Sequence, residues 1–295
     1  MPFLTACGGT RPTTVNLEDL VVSFVATIPG RGSEAMTLPT AAEVRRFVAG
    51  VRAARDGDPR RAAELVDPLA YGVRAVVDSV TDRRLYLFEE RRSDGSRPHG
   101  WGLYVIAAGA SRPLLVEVSH PLHDINTPQV GVVAFQHGHA AGLLVAGTHR
   151  YANDDGSSDV AHEDRTMFAA VNRALVGRRE TVLQPHGFDD AGPSKDSGGI
   201  GDSDVVVSAG TAPPPPAVDA VTAALRGEGF AVCEYDGDRC ADLGGTRNVQ
   251  GECCRQVGAT FVHLELDRAV RDDPTRRALL ARTVGKTLGS ARNAS

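Results

Sequence analysis

Residues Pro113–Ser119 read PLLVEVS, a β-rich run that ends directly on His120, and Thr181–Pro185 read TVLQP immediately before His186. Around these two runs the chain alternates. GLLVAGT (142–148) predicts a strand, the apolar positions Met167, Phe168, Val171 and Leu175 a helix, and DVVVSAG (204–210) another strand. Val218, Val221 and Leu225 then mark a helix, and FAVCEY (230–235) and TFVHLEL (260–266) two further strands. Strands alternating with helices imply an α/β sheet with crossover connections. Open sheets of this kind gather ligands at the carboxyl ends of their strands, where His120 and His186 fall.

Upstream, YGVRAVVD (71–78), RLYLFEE (84–90) and WGLYVIAAG (101–109) are successive strand candidates separated by turn residues such as Thr81-Asp82 and Ser93-Asp94-Gly95. Thr40 and Glu43 have capping-box spacing ahead of Val44, Phe47, Val48 and Val51, so a helix begins there, and Gly57-Asp58-Pro59 ends it before a second short one. Asp273-Pro274 opens a last helix that buries Leu279, Leu280, Val284 and Leu288. The expected fold is therefore α/β, a mixed, mostly parallel sheet flanked by helices, with a small helical N-terminal segment. Residues 1–17 read as a tail, 18–68 as that segment and 69–295 as the α/β domain. Residues 187–203, rich in Gly, Ser and Asp, and Pro213–Pro216 read as surface loops.

The 295 residues carry 32 basic against 37 acidic side chains, a formal charge of −5, so no overall positive field is present to hold nucleic acid. The uncharged stretch Ile125–His149 is interrupted by Asn126, Pro128, Gln129, Gln136, His137 and His139 and does not read as a membrane span. Leu4-Thr5-Ala6-Cys7 resembles a lipoprotein processing site with only six residues before it. Two expectations stand side by side: an exported protein with a lipid anchor at Cys7, or a chance match in a cytoplasmic one. Cys233, Cys240, Cys253 and Cys254 allow three disulfide pairings, or serve as buried thiols; their spacing lacks the C-x2-C of a zinc cluster.

Seven of the nine histidines lie between His120 and His186. His123 and Asp124 follow His120 within one turn of chain, so either could join it on one ion, with Asp124 favoured because histidine–carboxylate–histidine is a common catalytic zinc set. His186 would be the third ligand. In FVHLEL, Glu265 shares a strand face with Phe261 and His263, opposite Val262, Leu264 and Leu266. A carboxylate there could take a proton from water and pass it to a leaving amine. His99, His137, His139 and His263 are assigned ordinary hydrogen-bonding roles.

These residues, in VEVSHPLHDINTP, LLVAGTHRYAND, SDVAH, VLQPHGF and FVHLELDRAVR, occur in an order that resembles the zinc-carboxypeptidase-like hydrolase superfamily, especially its N-formylglutamate amidohydrolase and phage poly-γ-glutamate hydrolase branches. The resemblance spans roughly Tyr71 to Leu288. It implies a Zn2+ ion held by His120, Asp124 and His186, with Glu265 as general base. The short interval between the two histidines is closer to the amidohydrolase branch, while the HPLHD loop departs from the usual His-x-x-Glu.

Related enzymes carry an arginine that clamps a substrate carboxylate, a role that falls on Arg150; a salt bridge to Asp154, Asp155 or Asp159 is the alternative. Asp159 and His162 are candidates for orienting the ligands. The loop Leu243–Asn248 is expected to border the cleft. The implied function is zinc-dependent hydrolysis of an amide bond in an acylated amino acid or a peptide-like substrate, glutamyl bonds among them. The rival is a non-catalytic exported lipoprotein binding a peptide or cell-wall fragment on the same scaffold. A serine hydrolase is disfavoured because no G-x-S-x-G elbow occurs.

Overall fold

The computed structural model describes residues 12–91, 97–189 and 202–290. Cys7 and its anchor motif, and most of the 187–203 loop, lie outside the described residues. The strands are β1 (Thr13–Val15), β2 (Tyr71–Asp78), β3 (Arg84–Glu90), β4 (Leu103–Ala107), β5 (Arg112–Val118), β6 (Ala140–Val145), β7 (Thr181–Gly187), β8 (Val205–Ser208), β9 (Val232–Glu234) and β10 (Thr260–Leu266). They form one sheet in the order β1-β2-β3-β4-β6-β5-β7-β10-β8-β9. Five of the nine pairings are parallel, and β6, β5, β7 and β10 make the parallel centre. The mixed, mostly parallel α/β sheet is thus as the periodicity predicts.

The helices are α1 (Leu17–Val25), α2 (Ala41–Arg55), α3 (Pro59–Val66), α4 (Thr127–His137), α5 (Met167–Leu175), α6 (Pro216–Gly227), α7 (Val249–Val257), α8 (Arg268–Asp272) and α9 (Pro274–Ser290). Thr40 caps α2 as its spacing implies: its hydroxyl accepts from Glu43 N while the Glu43 carboxylate accepts from Thr40 N at 2.7 Å. Five elements, β1, α1, α4, α7 and the short α8, are not evident from the sequence pattern. Thr13–Val15, within the stretch read as a tail, pairs in parallel with β2. The α4 sequence TPQVGVVAFQH is buried nearly all round, so it lacks the one-sided stripe that announces a helix.

Two apolar layers sandwich the sheet. Side chains of α1, α4, α6 and α9 cover one face and those of α2, α3, α5 and α7 the other. Residues alternate accordingly: Val116 and Val118 of β5 join the first layer and Leu115 the second. In the first layer α4 and α9 approach backbone to backbone, and a Cβ on Gly285 would stand 2.6 Å from the Ala134 carbonyl oxygen.

From β5 the chain passes through α4 to β6 on one side, then through α5 to β7 on the other side of β5. The two crossovers pack on opposite faces, so a crevice opens at the carboxyl end of β5. Cys233 and Cys240 form a disulfide, while Cys253 and Cys254, both in α7, are buried thiols.

Candidate metal centre and active site

Beyond β5 the backbone makes one tight turn, with Asp124 N donating to the His120 carbonyl oxygen at 2.9 Å. That i, i+4 bond sets the side chains of His120 and Asp124 on the same side. His123 faces elsewhere, its ring 5.4 Å from those of His149 and Tyr151. Asp124 is therefore the residue brought to His120, and the HPLHD loop offers a carboxylate four positions on rather than three.

Three ligand atoms converge. His120 Nδ1 lies 3.0 Å from His186 Nδ1 and 3.2 Å from Asp124 Oδ2, and His186 Nδ1 lies 3.1 Å from the same oxygen. All three side chains are buried. Ligand atoms 2.0–2.1 Å from a tetrahedral zinc would be about 3.3 Å apart, so this triangle fits such an ion within a few tenths of an ångström.

The far nitrogens are engaged. His120 Nε2 faces Asp159 Oδ1 at 2.9 Å and His186 Nε2 faces Gln184 Oε1 at 2.8 Å, so each ring has an acceptor behind it and turns Nδ1 toward the triangle. Two imidazole nitrogens and a carboxylate oxygen held this close call for a hydrogen or a cation between them. A proton on His120 answers the same demand: burial opposes it, but hydrogen bonds to Asp124 and Asp159 raise the His120 pKa. Burial would also raise the Asp124 carboxyl, yet the close approach of the His120 and His186 rings holds it below the usual carboxylate range.

Parallel pairing of β7 with β10 sets Glu265 beside His186 and His263 beside Gln184. Burial, then the nearby Asp124 charge, push the Glu265 pKa well above the ordinary carboxylate value, although Arg271 and Arg150 oppose this. Its side chain keeps 14% exposure and opens on a cavity of about 380 Å³ that His120, His186 and Arg150 also line. Ala241–Asn248 supply another wall, as expected for that loop. The Ser208 hydroxyl fixes this wall by donating to the Gly244 carbonyl at 2.6 Å, and the Cys233–Cys240 disulfide ties down its start.

Arg150 stands in the cleft and also in one of its alternative salt bridges: Nη2 donates to Asp159 Oδ2 at 2.5 Å while Nη1 lies 3.4 Å from His120 Nδ1. Asp159 thereby joins Arg150, His120 and, at 3.1 Å, His162 Nδ1. His263 is a cleft residue that sequence reasoning set aside. Its ring lies 4.7 Å from that of His186, its Nε2 3.8 Å from Glu265 Oε1, and burial and His186 hold its pKa well below the ordinary histidine value. His186, His263 and Glu265 make a second group of donors sharing one histidine with the first. The signal was present, since His263 lies two residues before Glu265 on the same face.

No protein-family model and no curated protein matches this chain. Among solved structures, a bacteriophage poly-γ-glutamate hydrolase is similar at 14% identity with a TM-score of 0.42, over 62% of this chain and 86% of that one. An N-formylglutamate amidohydrolase from Ralstonia eutropha is similar at 14% identity and a TM-score of 0.42, over 63% and 94%. These structural neighbours come from the two branches that the sequence motifs resemble; at such distances the functional reading rests on the residues themselves.

Proposed function

We propose that this protein is a zinc-dependent hydrolase of an amide bond in an acylated amino acid or a peptide-like, including glutamyl, substrate. The supporting observation is the triangle of His120 Nδ1, Asp124 Oδ2 and His186 Nδ1, with edges of 3.0–3.2 Å, beside Glu265, which lines the same cavity as the two histidines. Two imidazoles and one carboxylate favour zinc over the oxygen-seeking magnesium and calcium. When bound, zinc supplies Lewis acidity for a carbonyl oxygen and lowers the pKa of a water to about 7.

The remaining work falls to the chain. Glu265, whose basicity burial raises, accepts a proton from the attacking water and returns it to the leaving nitrogen. Arg150, braced by Asp159, presents its guanidinium to a substrate carbonyl or carboxylate. Asp159 and Gln184 keep the two imidazoles aimed inward.

The test is hydrolysis of N-formyl amino acids, γ-glutamyl peptides and muropeptides with and without a chelator, beside the metal content of the purified protein. The expected result is zinc near one equivalent and chelator-sensitive turnover. Glu265→Gln should keep the zinc and lose roughly 10²–10⁴-fold in rate. Absence of both zinc binding and chelator-sensitive hydrolysis would overturn the proposal.

A further inference from the structure

Behind His186 lies a buried chain of polar side chains. Gln250 Nε2 donates to the Val160 carbonyl at 2.8 Å, a group that can only accept, so Gln250 turns its Oε1 toward Gln184. Ionised, as it is at pH 8, Glu117 offers two acceptor oxygens: one receives Asn172 Nδ2 at 2.8 Å, the other Gln184 Nε2 at 3.0 Å. Gln184 Nε2 thus meets acceptors on both sides, the second being Gln250 Oε1 at 3.2 Å. The amide cannot exchange its ends without setting oxygen against oxygen. Its Oε1 is left to accept from His186 Nε2 and from Asn248 Nδ2.

These five side chains, drawn from β5, α5, β7, α7 and the α7 cap, are each at most 3% exposed, so water cannot substitute for a misdirected partner. The other neighbour of His186 Nε2 is Ser119 Oγ at 3.2 Å, a hydroxyl that donates or accepts equally well. On its other side the ring sets Nδ1 3.0 Å from His120 Nδ1 and 3.1 Å from Asp124 Oδ2; a proton on His120 Nδ1 serves both of these acceptors, so the direction of the His186 ring is left to the amide. We propose that Gln184, locked end for end by Glu117 and Gln250, is the positioning residue that fixes His186 in its Nε2–H tautomer and leaves Nδ1 bare toward His120 and Asp124. The purpose of this lock rests on the metal reading above, but the tautomer is measurable without any metal.

The experiment uses the full chain labelled with ring-15N histidine, treated with chelator at pH 8, the His186 signals being assigned by their loss in His186→Gln. Protonated and bare ring nitrogens resonate far apart. The wild type should show Nε2 protonated and Nδ1 bare. Gln184→Met should give a mixture of tautomers and bind zinc roughly 10–100-fold more weakly by chelator competition.

Glu117→Gln is the conservative variant of the lock: Gln250 still directs the Gln184 amide, so the tautomer should be kept and zinc affinity should fall less than in Gln184→Met. The introduced amide still has an oxygen to accept from Gln184, while Asn172, whose Oδ1 has no partner among the described residues, turns to accept from the new NH2 group. A His186 protonated at Nδ1 in the wild type, or a folded Gln184→Met with tautomer and zinc affinity unchanged, overturns the inference. The wild-type spectrum decides even if Gln184→Met does not fold. A wild type that shows the expected tautomer but binds no zinc overturns the metal reading and leaves the lock standing.

Discussion

Glu117→Gln also changes how stability depends on pH. Glu117 is fully buried, and among the described residues its oxygens accept only from the amides of Asn172 and Gln184. Burial raises its pKa to about 7 against an ordinary 4.5, and the two amide hydrogen bonds only partly offset this. Between those values the native protein keeps a proton that the unfolded chain has released, so stability falls as pH rises. The contribution is fully present below about pH 4.5 and is lost by about pH 7. At about 1.4 kcal/mol per pKa unit the whole effect is about 3.5 kcal/mol, of which about 2.5 kcal/mol lies between pH 5 and pH 8.

The glutamine side chain does not titrate, so the stability of wild type minus that of Glu117→Gln should drop by about 2–3 kcal/mol from pH 5 to pH 8. Subtraction removes other groups, including Glu90, which burial also raises to about 7. Urea unfolding of both proteins with chelator present, at pH 5 and pH 8, measures the difference. A difference constant to within about 0.5 kcal/mol would show that the carboxylate is ionised at pH 5 in the folded protein, and the burial argument would fail.

Zinc at about 1,000 times its Kd should stabilise the protein by about 4 kcal/mol, and Asp124→Asn should abolish most of the gain in thermal denaturation. Because zinc must displace a proton from His120, whose pKa is raised against burial by Asp124 and Asp159, apparent zinc affinity should fall as pH is lowered, toward about tenfold per pH unit; calorimetry at several pH values measures this. Phe47 of α2 packs edge-on against Tyr71 at 4.8 Å and is fully buried, so Phe47→Ala should cost about 3–5 kcal/mol in urea unfolding. Gly285→Ala should cost about 1–3 kcal/mol, since its Cβ would meet a backbone oxygen and α9 would have to move off α4.

The strands that build the crevice were legible because β5, β7 and β10 are β-rich runs that end close to polar residues. The convergence of His120 with His186 followed from placing both at strand ends, and Glu265 from period-two alternation. What stayed hidden has physical reasons. The choice between His123 and Asp124 depends on one backbone hydrogen bond, from Asp124 N to the His120 carbonyl, and both spacings are compatible with a turn. α7 carries polar and small residues, VQGECCRQV, and packs Cys254 and Gly251 inward, so its buried side has no row of large apolar groups. Gln184, Gln250, Glu117 and Asn172 are ordinary polar residues in sequence; they become a directed network only when four elements bring them together out of water.

The alternation that buries the strands also builds the site. Leu183 of β7 and Leu264 of β10 point into one apolar layer, which obliges Gln184 and His186, and His263 and Glu265, to face the other side. Because the strands pair in register, Glu265 stands beside His186 and His263 beside Gln184 without any loop having to place them. A slip of β10 by one residue would carry Glu265 into the layer of Leu280 and Val284, where an unpaired carboxylate is costly, and would expose Leu264 or Leu266 to the cleft. The free energy that fixes the register is thus hydrophobic and lies on the far face of the sheet. Substitutions such as Leu264→Ser should therefore disturb the placement of Glu265 without touching the cleft, whereas His120 and Asp124, held by a turn beyond β5, should keep their geometry.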